Sequence, residues 1–133
     1  MTELEMRVLS ELEEAGEEEI ETMMNTVTEL SGAPGEVVSL QEALKSLVTS
    51  NFILMSVRIS SNTWDDASKA QSISNIEDAS SHLTFVEKTG FWTDDRAKGS
   101  SWGKMPIIVC TPKGKELAWK ILDERGYQWW KKK

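Results

Sequence analysis

The chain has 133 residues, 39% hydrophobic and 28% charged, with 22 acidic and 15 basic side chains for a formal net charge of −7. That is ordinary globular composition, with enough apolar mass for a core that needs no staples. No apolar run approaches the roughly 20 residues that span a bilayer. The single cysteine, Cys110, excludes an internal disulfide and suits a reducing compartment.

The acidic, amphipathic start over residues 1–15 lacks the basic end and apolar centre of a secretion signal. The expectation is one cytoplasmic domain over 1–133, with no membrane contact. Charge is segregated along it. Residues 1–36 hold eleven acids and one base, and residues 96–133 hold ten bases and three acids. Net negative charge opposes tight nucleic-acid binding, whereas the basic end favours it. Segregation also suits two solvated faces that partly neutralise each other.

Thr2 and Glu5 have capping-box spacing, and Leu4, Val8, Leu12 and Ala15 share one helical face. A first helix is predicted over 3–15, stopped by Gly16. Three glutamates, Glu17 to Glu19, suit the positive end of a second helix over 17–31, with Ile20, Met23, Met24, Val27 and Leu30 on its apolar side. The run Ser31-Gly32-Ala33-Pro34-Gly35 breaks it. Val37, Leu40, Leu44, Leu47 and Val48 define a third helix to about Ser50, starting at 36, or at 40 if Ser39 and Glu42 form its capping box.

Residues 52–59 are β-branched and aromatic, as a strand requires. Residues 60–75 are polar and read as loop. Ser74 and Glu77 have capping-box spacing and precede Ile76, Ala79, Leu83 and Val86, which predicts a helix over 75–88, with Gly90 after it. Phe91-Trp92-Thr93 suits a short strand, 94–104 a hairpin tip, and 106–110 a second clear strand. Thr111-Pro112 is a helix start, since proline has no N–H to waste in the first turn. Leu117, Ala118, Ile121 and Leu122 make the stripe of a helix over 112–125, with Gly126 as its stop. An aromatic and basic tail occupies 127–133.

Three helices, a strand, a long excursion, a second strand and a helix follow the winged-helix plan, a helix-turn-helix with a β-hairpin wing. The run Glu42-Ala43-Leu44-Lys45-Ser46-Leu47-Val48-Thr49-Ser50-Asn51-Phe52-Ile53 resembles a recognition helix entering a wing strand. Asp94-Asp95-Arg96-Ala97-Lys98-Gly99 and Ile107-Ile108-Val109-Cys110-Thr111-Pro112-Lys113-Gly114 resemble the wing tip, second wing strand and following helix entry of MarR-like regulators. The chain departs from that family by a long insertion in the wing over 60–105 and by cysteine at 110. The resemblance implies an α+β, mostly helical domain: a three-helix core, a β-hairpin wing, an inserted helix and a C-terminal helix.

It also implies a DNA-binding transcriptional regulator, dimeric through its terminal helices. Its bases would be read from the third helix by Gln41, Lys45, Ser46 and Thr49, with phosphates held by Arg96, Lys98, Lys104 and Lys113. The competing view is an ordinary solvated helix face beside a polar hairpin. In that case the domain is a protein-interaction module whose acidic head (Glu11, Glu13, Glu14, Glu17 to Glu19) meets a basic partner.

The six tryptophans admit two views. Trp64, Trp92 and Trp102 either line a ligand pocket or anchor a long loop. Trp129 and Trp130 stack on bases, meet a membrane interface, pack against a partner or fold back over the core. His82 is the sole histidine and Cys110 reads as an inert core thiol, so neither a metal set nor a catalytic set is expected. No cofactor is called for, and no effector is specified.

Overall fold

The computed structural model describes residues 1–56, 58–60, 63–64, 68–95 and 106–131, with the backbone alone at 58–60 and 63–64. The fold is α+β. Its elements are α1 (Glu3–Ala15), β1 (Glu17–Glu19), α2 (Ile20–Val27), α3 (Pro34–Thr49), β2 (Ile53–Ser56), β3 (Arg58–Ser60), β4 (Thr63–Trp64), α4 (Lys69–Ser80), β5 (Leu83–Val86), β6 (Phe91–Asp94), β7 (Ile107–Cys110) and α5 (Pro112–Arg125).

The helix caps explain several boundaries. Thr2 accepts from the Glu5 amide at 3.1 Å, and Gly16 closes α1 at φ 85°, where glycine is at ease. Thr111 caps α5 from the Gly114 amide, with Pro112 in the first turn. Both helices have the bounds that the sequence predicts.

The second helix is shorter than expected. Glu17 to Glu19 form an edge strand antiparallel to β7, with Glu18 opposite Ile108. Pairing with a buried strand outweighs the helical preference of glutamate, as tertiary context often does. Thr28 closes α2, its hydroxyl donating back to Met24 O at 2.7 Å. The third helix starts earlier than either predicted position. Ala33 is its N-cap and Pro34 enters the first turn, so the Ser39–Glu42 pair lies inside the helix.

β7 is the centre of a three-stranded antiparallel sheet in the order β1-β7-β2. Leu54 faces Val109 and Ser56 faces Ile107 across the β2–β7 ladder. The predicted 52–59 strand thus resolves into β2, paired with β7, and β3, paired with β4 in a separate two-stranded unit.

The inserted helix is also displaced. α4 covers 69–80, capped by Ser68 through the Gln71 amide, and not 75–88. Residues 83–86 form a strand paired with 91–94. α4 escaped its apolar pattern because its inner face is largely polar: Ser72, Asn75 and Ser80 are buried beside Ile76 and Ala79. Ser72 Oγ accepts from Met55 N at 3.2 Å and Asn75 Nδ2 donates to Met55 O at 2.9 Å. These side chains cover the backbone of edge strand β2, which would otherwise invite pairing by another chain.

One core joins the five helices of the described residues. Leu9 and Leu12 of α1, Met23 and Met24 of α2, Leu44 and Leu47 of α3, Ile76 of α4 and Ala118 of α5 meet Met55 and Ile108 of the sheet. The excursion clasps the opposite side as well. Asn25 of α2 donates to Trp92 O and accepts from Trp92 N, both at 2.8 Å, and Trp92 is buried. Trp92 thus anchors the excursion to the core. No helix is long and apolar enough to cross a membrane among the described residues.

Candidate functional site

The surface of α3 is set by what lies beside it. α4 runs alongside α3 in the opposite direction, and three contacts mark its course. Lys69 Nζ donates to Thr49 O at 3.0 Å, Lys45 Nζ meets Glu77 Oε2 at 2.8 Å, and Gln41 Nε2 donates to Ser80 Oγ at 2.9 Å. Gln41 and Lys45, the expected base readers, are therefore engaged by the inserted helix along its length. Thr49 turns its hydroxyl to Lys45 O at 2.9 Å, within its own helix.

The end of α3 has a built junction. Asn51 takes φ 68°, a left-handed conformation that asparagine tolerates. Thr111 reaches the carbonyls of Asn51 and Phe52 through its hydroxyl, and its amide donates to Phe52 O at 3.0 Å. Lys113 Nζ donates to Ser50 O at 3.3 Å and lies 5.0 Å from the Phe52 ring centroid. Lys69 and Lys113, from two different helices, thus place cations on the last carbonyls of α3. That location is favoured by the helix dipole.

Ser46 is exposed on the other flank. It lines a groove of about 510 Å³ between α1 and α3, with Thr2, Leu4, Glu5, Ser39, Glu42 and Ala43. Glu5 and Glu42 are its charges, one from each wall. A second groove, also about 510 Å³, lies between α1, the end of α2 and the start of α3. Leu4, Val27 and Ala33 supply apolar lining and Glu3, Glu29 and Glu36 supply acids. Arg7 pairs with Glu3 at 3.2 Å and Glu29 at 3.3 Å, and donates to Val27 O.

The expected phosphate contacts Arg96, Lys98 and Lys104 lie outside the described residues, as does Trp102; the side chain of Trp64 is likewise not described. Of the expected DNA set, the four α3 residues do not converge on one open face. Gln41 and Lys45 face α4, whereas Ser46 faces α1.

Much of the acidic head is used internally. Glu11 is buried and accepts from Trp130 Nε1 at 2.9 Å. Glu13 accepts from Trp119 Nε1 at 2.7 Å, and Glu14 pairs with Lys131 at 2.9 Å. Trp129 donates to Ser10 Oγ at 3.0 Å and carries Arg125 over its ring at 3.8 Å. The tail tryptophans therefore fold back on α1. The α1 and 112–130 surfaces assigned to a dimer partner from sequence pack largely against each other within the chain.

The remaining chemistry-bearing groups are dispersed. Burial pushes the Cys110 thiol up to about 12, and the Glu13 carboxylate adds to the effect. A thiol held protonated at neutral pH is a poor nucleophile. His82 Nδ1 lies 2.8 Å from Asp95 Oδ1, with Asp78 at 3.9 Å from its other nitrogen. No group of three or more metal-ligating side chains converges among the described residues. The cover on α3 was not visible in sequence, because it depends on residues distant in the chain. Comparison with protein-family models, curated proteins and solved structures gave no match.

Proposed function

We propose that the chain is a winged-helix protein-interaction module that takes a basic, partly apolar segment of a partner into the α1–α3 groove and does not read DNA. The winged-helix reading is supported by α1, β1, α2 and α3 preceding a β2–β7 antiparallel pair, with β1 on the far side of β7. The wing is interrupted by the β3-to-β6 excursion.

The observation that carries the functional reading is α4 lying along α3. A helix with its side chains is about 10–12 Å wide, and packed helices have axes about 8–10 Å apart. The α3–α4 pair is therefore about 20 Å across, against a major groove about 12 Å wide. The lysines at this surface are also engaged: Lys45 by Glu77, Lys69 by the Thr49 carbonyl, and Lys113 of α5 by the Ser50 carbonyl. The flank of α3 left open carries Glu5 and Glu42, which repel phosphate and attract cations.

The test pairs two measurements. A gel shift with genomic fragments at low salt is expected to show no complex; a complex weakened by Lys45→Ala would overturn the reading. A lysine- and leucine-containing peptide is expected to bind in calorimetry and to weaken with salt. The pair Glu5→Gln and Glu42→Gln should cost it about 0.5–2 kcal/mol, the scale of exposed charge pairs. Binding indifferent to both substitutions would reject the groove.

A further inference from the structure

Leu4 and Ser39 line both grooves beside α1, so the α1–α3 groove and the one at the start of α3 form a single channel. Its two ends differ in charge. At the Ser46 end, the carboxylates of Glu5 and Glu42 have no partner among the described residues. At the Gly35 end the three lining acids are engaged. Glu3 accepts from Arg7 and Arg125, and Glu29 pairs with Arg7. Glu36 accepts from Ser31 N at 3.0 Å and from Trp92 Nε1 at 3.3 Å. Arg7 itself lines this end. The first end therefore attracts a positive side chain. The second opposes one and offers Leu4, Val27 and Ala33 to an apolar side chain.

Given the α1–α3 groove as the docking site, on which this rests, we propose that the whole channel receives one amphipathic helix of a partner protein. Its basic side chain sits between Glu5 and Glu42, and its apolar side chain sits over Ala33 and Gly35. Glu42 and Gly35 are seven residues apart on α3, about 10 Å along its axis. A helix laid along the channel repeats that spacing, since residues seven apart share a face two turns removed. An extended strand covers about 10 Å in three residues, which turns the two side chains to opposite faces.

Gly35 allows the apolar end to be blocked cleanly. A Cβ added there meets nothing within 4 Å, and a helix prefers a side chain to glycine. Gly35→Trp therefore fills that end of the channel and keeps the fold.

The full chain is titrated, by amide NMR, with a helical alanine- and glutamine-based peptide carrying one leucine and one lysine about seven positions apart. A control peptide of the same composition has its lysine on the opposite side of the helix. The expected result is that shifts appear together at Ala33 and Gly35 and at Glu42 and Ser46, and that the control binds more weakly. Gly35→Trp should bind at least about tenfold more weakly, the loss of one seated apolar side chain, with no lower thermal midpoint. Glu42→Gln should lose about two- to fivefold. Shifts confined to 39–46, with Gly35→Trp binding like the parent, would overturn the two-ended occupant and leave the α1–α3 groove reading in place. Equal affinity for the two peptides would do the same. No shift at any channel residue would reject both. Should Gly35→Trp fail to fold, the parent's shifts and the two peptides still decide.

Discussion

Gly114 has no room for a side chain. A Cβ built there collides with the carbonyl group of Phe52, the same oxygen that accepts from Thr111 N. The glycine lets the first turn of α5 approach the exit of α3 at backbone distance. Gly114→Ala must push α5 away from the Asn51–Phe52 turn, and because the obstacle is backbone it cannot be relieved by a rotamer change. We expect a loss of about 1–3 kcal/mol, read as a lower urea midpoint at unchanged slope. An alanine variant as stable as the parent would mean that the close approach is not held in solution.

Among the elements, α4 is the one whose role is least evident from its composition. It is held by polar contacts with β2 and α3 more than by an apolar stripe. Asn75→Ala removes the donor to Met55 O, leaving a buried carbonyl on an edge strand. The cost should be about 1–3 kcal/mol, the penalty for a buried polar group left unmade. Denaturant unfolding measures it, and a change under about 0.5 kcal/mol would show that water replaces the amide.

The same helix marks where sequence reading succeeds and fails. α1, β7 and α5 were legible because their caps and apolar stripes are local signals. α4 was displaced because a buried Ser-Asn-Ser face imitates a loop. The expected 75–88 helix runs into residues where Phe85 and Val86 instead pair with Trp92 and Phe91, since a short apolar run carries no period of its own. The Glu17–Glu19 strand was hidden because its partner lies some 90 residues away in the chain, at 107–109. For the same reason the cover on Gln41 and Lys45 was hidden: no feature near 41–45 announces Glu77 or Ser80.

At the scale of the molecule, the excursion between β2 and β7 leaves and returns at neighbouring points, since Ser56 and Ile107 are partners. Geometry alone would allow a tight turn to replace residues 57–106. Energetics oppose it. The replacement removes Ile76, Ala79 and Trp92 from the core. Large buried side chains cost about 2–5 kcal/mol each when truncated, against a typical total of about 5–15 kcal/mol. A variant with Asn-Gly in place of 57–106 should therefore lose its cooperative thermal transition in circular dichroism. A retained transition would make the excursion an appendage, and would reopen α3 to nucleic acid.

The central strand β7 also fixes an order of events. Its two neighbours, β1 and β2, are made long before it, and neither pairs with the other. At about 5–20 residues per second, the ribosome needs roughly 3–10 s after residue 56 to deliver residue 110. For that interval neither the Glu17–Glu19 segment nor the Ile53–Ser56 segment has the ladder partner it takes in the fold. Glu17 to Glu19 repel one another's copies on neighbouring nascent chains. Negative charge along that edge therefore disfavours pairing with a second copy of the same strand while its partner is still to come.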